Sequence, residues 1–217
     1  MKNHVARDIS YASSARGPAG RILIRSIENI TGRIGLIKRA KDYDKEVENG
    51  RNFWDVIIER YNLKINVTNG DLNNIPKKGP VVIVSNHPFG ILDGLIMGYV
   101  LSRARKEFKI IANRVFRKAR DLDNVILPIS FEENREGNMQ NLNTRNEAIK
   151  YLKRGGIVGI FPGGTVATSA RLFGKASDPH WKRFTSKLIL KSKATVIPVF
   201  FKGSNSRLFQ IASHFNY

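Results

Sequence analysis

His87 and Asp93 sit six positions apart in the stretch SNHPFGILDG, residues 85–94. A neutral imidazole can remove a proton from an attacking group near pH 7. A carboxylate beside its other ring nitrogen fixes the tautomer and stabilises the imidazolium that forms. In a serine hydrolase the proton would come from a serine on a G-x-S-x-G elbow. This chain has no such elbow and no cysteine. The histidine would then act directly on an acceptor substrate, with no covalent enzyme intermediate. Spacing alone leaves another reading open, a histidine at a strand exit followed by a solvated helical aspartate. Pro88 and Gly90 permit a turn in which residues six apart could meet.

A second candidate is FPGGT, comprising Phe161, Pro162, Gly163, Gly164 and Thr165. Backbone N–H groups in a Gly-rich turn can hold an anion or an oxyanion. The motif lacks the lysine of a P-loop and equally suits an ordinary tight turn. Arg135, Arg171 and Lys175 could meet a phosphate or carboxylate, though each also reads as surface charge. The histidines His4, His87, His180 and His214 show no metal-ligand spacing, so no metal site and no bound cofactor are expected.

These residues need elements to hold them. The apolar β-branched runs VVIVS, FKIIAN, NVILPIS, IVGIF and ATVIPVFF read as strands. LKINVTN, with Leu63, Ile65 and Val67 alternating, reads as another. Between them lie helical patterns. Residues 51–62 place Phe53, Trp54, Ile57, Ile58 and Tyr61 on one side, and a further helix starts near Ile91. Over 138–153, Leu142, Ile149 and Leu152 face inward until Gly155 and Gly156. In WKRFTSKLILKS, Trp181, Phe184 and Leu188 align. The alternation predicts an α/β fold with a mostly parallel central sheet flanked by helices. Ligands of such sheets bind beyond the carboxyl ends of the strands. The loops NHPFGILDG, SFEENREG and PGGTVATS are therefore expected to converge on one cleft.

The 37 Lys and Arg against 18 Asp and Glu leave a net charge of +19, which favours anionic partners: nucleic acid, acidic lipid surfaces, or acidic carriers and phosphorylated substrates. Basic residues are not interleaved with aromatics as in a nucleic-acid-binding module, so no specific nucleic acid is expected. No apolar run approaches the roughly 18–20 residues of a spanning helix. Residues 1–20 form a polar arm without the apolar core of a secretory signal; its arginines and serines faintly suggest a transit peptide. In GRILIRSIENITGRIGLIKRAK, Leu23, Ile27, Ile30, Ile34 and Ile37 form one helical stripe flanked by Arg21, Arg25, Arg33, Lys38 and Arg39. Such a helix can lie in a membrane interface or pack across the domain. Residues 1–45 thus read as a basic arm and amphipathic helical segment, and 46–217 as the main domain.

Taken together, the motifs resemble the glycerolipid acyltransferase superfamily of the lysophosphatidic acid type. Asn86, His87 and Asp93 look like its first block, Phe161 to Thr165 like its third, and Val196, Ile197, Pro198 and Val199 like its fourth. Arg135 is the candidate for the second. Order and spacing agree from about residue 75 to 205. Five residues separate His87 from Asp93, where the common motif has four, and Gly163 stands where it has glutamate. Both departures resemble the haemolysin-like branch that includes lyso-ornithine lipid acyltransferases.

The resemblance implies a glycerolphosphate-acyltransferase-like fold over 46–217, in a family whose members often continue past this C-terminus. It implies an O-acyltransferase with His87 as general base and Asp93 orienting it. Asn86, Arg135 and the FPGGT residues would bind substrate. The donor would be an acyl-coenzyme A or acyl carrier protein thioester, the acceptor a lysolipid. The enzyme would lie peripherally on the cytoplasmic face of an anionic membrane. A non-catalytic lipid-binding relative, or a basic nucleic-acid-binding protein, is the alternative.

Overall fold

The computed structural model describes residues 34–171 and 174–214, with 17, 18, 22 and 26. Of the predicted N-terminal stripe, Leu23, Ile27 and Ile30 lie outside the described residues. Its last turn is a short helix, α1 (Ile34–Arg39), with no buried residue. Two more helices precede the sheet, α2 (Tyr43–Glu48) and α3 (Phe53–Arg60). The Asn52 side chain caps α3 by accepting the Trp54 N–H at 2.9 Å.

Five parallel strands form the sheet: β1 (Val81–Ser85), β2 (Lys109–Asn113), β3 (Ile126–Ile129), β4 (Ile157–Ile160) and β7 (Thr195–Val199), in the order β3-β2-β4-β1-β7. A small antiparallel pair, β5 (Thr168–Ser169) and β6 (Ala176–Ser177), lies apart from it. The remaining helices are α4 (Ile91–Ala104), α5 (Arg120–Asp123), α6 (Arg135–Lys153), α7 (Arg183–Ser192) and α8 (Arg207–Ser213).

Every residue of β1 is buried because both faces of the sheet are covered, which explains its unbroken apolar run. On one face, Val81 and Ile83 pack with Trp54 of α3 and Met97, Val100 and Leu101 of α4. On the other, Val82 and Val84 pack with Ala148, Ile149 and Leu152 of α6 and Leu188 of α7. Full burial of each such aliphatic chain contributes about 1.5–3 kcal/mol relative to exposure. Gly98 lets α3 and α4 touch: a Cβ there would sit 2.0 Å from the Trp54 ring. That contact fixes the helix carrying Asp93. At the opposite edge of the sheet the Arg105 guanidinium donates to Pro76 O and Gly155 O, and its burial lowers its pKa.

Three local expectations are corrected. LKINVTN pairs with no strand; Leu63 and Ile65 are half-buried, but Val67 is exposed. Leu142 faces solvent, and Thr144 and Ala148 take the inner face of α6 instead. Trp181 precedes α7 and is 56% exposed, leaving Thr185, Leu188 and Ser192 as the buried side of that helix.

Candidate active site

Parallel strands put all their carboxyl ends on one edge, where β1 ends at Ser85 and its neighbour β4 at Ile160. The chain leaves β1 through Asn86 to Phe89 and turns at Gly90, whose φ of 70° and ψ of −118° suit glycine alone. Helix α4 starts directly after. Asp93, in its first turn, is fully buried. Its Oδ2 accepts the N–H groups of Phe89 at 2.7 Å and Gly90 at 3.0 Å. Those bonds cap the helix and fold the loop so that His87 Nδ1 comes 3.1 Å from the same Oδ2. The solvated-aspartate reading is thereby removed.

The His87 side chain is 16% exposed. Its Nδ1 faces the carboxylate off the axis of an aligned hydrogen bond. A carboxylate on the Nδ1 side favours the tautomer that leaves Nε2 as the proton acceptor.

The FPGGT loop braces this histidine. Phe161 stacks on the imidazole with centroids 4.1 Å apart and planes 26° off parallel. The Ala167 N–H donates to His87 O at 2.8 Å, and the loop closes on itself through Gly164 N–H to Phe161 O at 3.0 Å. Pro162 and Gly163 are buried, while Thr165 is exposed. Gly163 packs closely: a Cβ there would meet Pro179 Cδ at 3.1 Å.

Asn86 holds the loop from the other side. Its amide donates to Phe201 O at 2.9 Å and accepts the Phe201 N–H at 2.7 Å, tying the β1 exit to the β7 exit. Both of its polar groups are thus engaged by backbone, a fastening role.

Asp178 escaped sequence reasoning. Its Oδ1 accepts the His87 N–H at 3.0 Å, and its Oδ2 accepts the Trp181 indole N–H at 3.4 Å. The only local signal was an Asp-Pro pair, which marks a turn and nothing more.

The three loops expected to converge do so unequally. The first and third interlock around His87. SFEENREG leaves the edge strand β3, and its Phe131 ring reaches the third loop, 3.5 Å from a Cβ placed on Gly164. Arg135 begins α6, exposed, and lines a separate open cavity of ≈ 720 Å³ with Pro128, Met139 and Glu147. Lys175 lines a smaller one, ≈ 270 Å³, with Asn205, Arg207 and Gln210. Arg171 is exposed. Among the described residues no group of His, Asp and Glu gathers as metal ligands.

The Acyltransferase family model matches residues 64–202, a span that begins before β1 and ends just past β7. The chain belongs to the acyltransferase family. It is similar to a lyso-glycine lipid O-acyltransferase of Bacteroides thetaiotaomicron, 30% identical over 161 residues, which cover 74% of this chain and 56% of the relative. A lyso-glycine lipid O-acyltransferase of Phocaeicola vulgatus is 25% identical over 190 residues, covering 87% and 64%. The chain therefore spans less than two thirds of the length of either relative. No solved structure matches. As an acyltransferase domain, the molecule has its His-Asp pair and FPGGT loop within the matched span. Asp178 lies within it too.

Proposed function

We propose that this chain moves a fatty acyl group from an acyl thioester, on coenzyme A or an acyl carrier protein, to the hydroxyl of a lyso-amino-acid lipid. The observation that carries this reading is the buried Asp93 carboxylate set 3.1 Å from the His87 imidazole at the carboxyl edge of the sheet. His87 Nε2 takes the proton of the acceptor hydroxyl as its oxygen attacks the thioester carbonyl. Asp93 orients the ring and stabilises the imidazolium. With the Gly164 N–H engaged by Phe161 O, the backbone N–H groups of Gly163 and Thr165 are the ones left for the oxyanion. Collapse of the tetrahedral intermediate breaks the carbon–sulfur bond, and the thiolate leaves with the proton returned from His87.

Two features support an amino-acid lipid over a glycerol phosphate as acceptor. Both relatives act, by name, on a lyso-glycine lipid. Gly163 brings no carboxylate where the common motif has glutamate, and a Cβ there would crowd Pro179. The names of the two relatives favour glycine over ornithine as the headgroup. No helix among the described residues is long and apolar enough to cross a membrane. A peripheral position on the cytoplasmic face, with anionic lipid as the surface, fits the charge of +19.

The test is transfer of a labelled long-chain acyl group from either carrier to a panel of lysolipids in detergent micelles. Wild type should form product on lyso-glycine lipid, and His87→Ala should be slower by about 10²–10⁴-fold. Equal rates would remove His87 as the base, and no product on any acceptor while the protein still binds lipid would point to a non-catalytic relative.

A further inference from the structure

Every exposed Phe or Trp among the described residues lies at one edge of the molecule. Phe131 is two residues past β3, Trp181 precedes α7, and Phe200 is the first residue past β7. Their exposures are 42%, 56% and 78%. Leu208, on α8, adds a fourth apolar group at 63%. The sheet is parallel throughout, so the β3 and β7 exits mark the two ends of its carboxyl edge. At about 4.8 Å per strand, five strands spread these groups over roughly 19 Å.

Contacts bind this rim to the site. Lys182 N–H donates to Pro162 O at 3.1 Å, seating Trp181 and Lys182 beside the FPGGT loop. The Trp181 indole donates to Asp178, which accepts from His87. Phe131 lies against Gly164. Phe200 precedes the Phe201 backbone that clasps Asn86. Exposed cations stand among them, Arg114 past β2 and Lys182, Lys202 and Arg207 near β4, β7 and α8. Glu132 and Glu133 are the exposed acids beside Phe131. Large exposed apolar groups interspersed with cations are what a headgroup interface solvates well.

We infer that the carboxyl edge of the sheet, carrying Phe131, Trp181, Phe200 and Leu208, inserts into an anionic lipid surface and sets the His87 cleft against the bilayer. This rests on the lipid acyl-transfer reading and deepens it, since a lysolipid could then reach His87 without leaving the interface. A soluble acidic protein would satisfy the cations and leave the aromatic groups in water.

Tryptophan fluorescence tests this on the full chain, because Trp54 is 6% exposed in the core and Trp181 is at the rim. Anionic vesicles should blue-shift the emission, and vesicles with brominated acyl chains should quench it. Both responses should vanish in Trp181→Phe. The double variant Phe200→Ser/Leu208→Ser should bind anionic vesicles about tenfold more weakly by sedimentation. Vesicle binding without quenching of Trp181 would overturn the inference, placing contact elsewhere on the chain. The same emission change with a soluble acidic carrier protein and not with vesicles would overturn it too. Acyl transfer in micelles, measured alongside, reports the catalytic reading independently: its loss with quenching intact refutes the chemistry and leaves the docking face standing.

Discussion

The two loops that meet at the site, one leaving β1 and one leaving β4, are built for different work. The first carries both ionisable side chains, His87 and Asp93, and is tied by side-chain bonds: Asp93 to Phe89 and Gly90, Asn86 to Phe201. The second carries no ionisable side chain. It contributes a ring face from Phe161, a backbone bond from Ala167 and a closely packed glycine. The difference teaches that the imidazole and carboxylate are placed by polar bonds, whose directions are fixed, while the neighbouring loop supplies shape and backbone dipoles. Such preorganisation matters because a small misplacement at the reacting atoms costs rate steeply.

The sharpest way to break the comparison is Asp93→Ala. Unlike His87→Ala, it should damage both chemistry and fold, because the Phe89 and Gly90 N–H groups lose their buried acceptor. Activity should fall as far as in His87→Ala, and stability should drop by about 1–3 kcal/mol. Denaturant unfolding of the two variants side by side would show it; equal stabilities would mean the cap is unimportant.

Next comes Gly163→Glu, which brings the common motif back into the second loop. The Cβ meets Pro179, so overpacking should cost about 1–3 kcal/mol and push Asp178 away from His87. A gain of activity on glycerol-phosphate acceptors without loss of stability would show that Pro179 yields freely.

The smallest effect concerns Asp178. As a positioning residue it acts through the His87 backbone, so Asp178→Ala should lower kcat about tenfold while leaving the KM for the thioester unchanged. Asp178→Asn keeps an acceptor for the His87 N–H and should recover most of the loss. A change confined to KM, or no rescue by asparagine, would assign Asp178 another role.

How much of this was legible in the sequence differs from element to element. VVIVS and IVGIF announced buried strands because both faces of a central parallel strand must be apolar. LKINVTN showed the same alternation and formed none, since a strand exists only where a partner offers hydrogen bonds, and the alternation cannot say whether one is present. Trp181 matched a helical stripe with Phe184 and Leu188, yet the helix begins after it at Arg183. Periodicity records spacing and is silent on where a cap falls.

At the site, the types and spacing of His87 and Asp93, with Gly90 between them, were enough to suggest a proton-transfer pair. Covalent spacing sets what a short loop can reach. Whether Asp93 faced water or the imidazole was decided by tertiary structure, through the packing that buries α4 against β1 and α3. Asp178 and Phe201 stand 91 and 115 residues from the groups they hold, and no local pattern connects them. Strand order made those contacts by inserting β4 beside β1 and placing β7 on its other side. The sequence by itself therefore determined the chemistry available, and the order of the sheet decided which residues meet to use it.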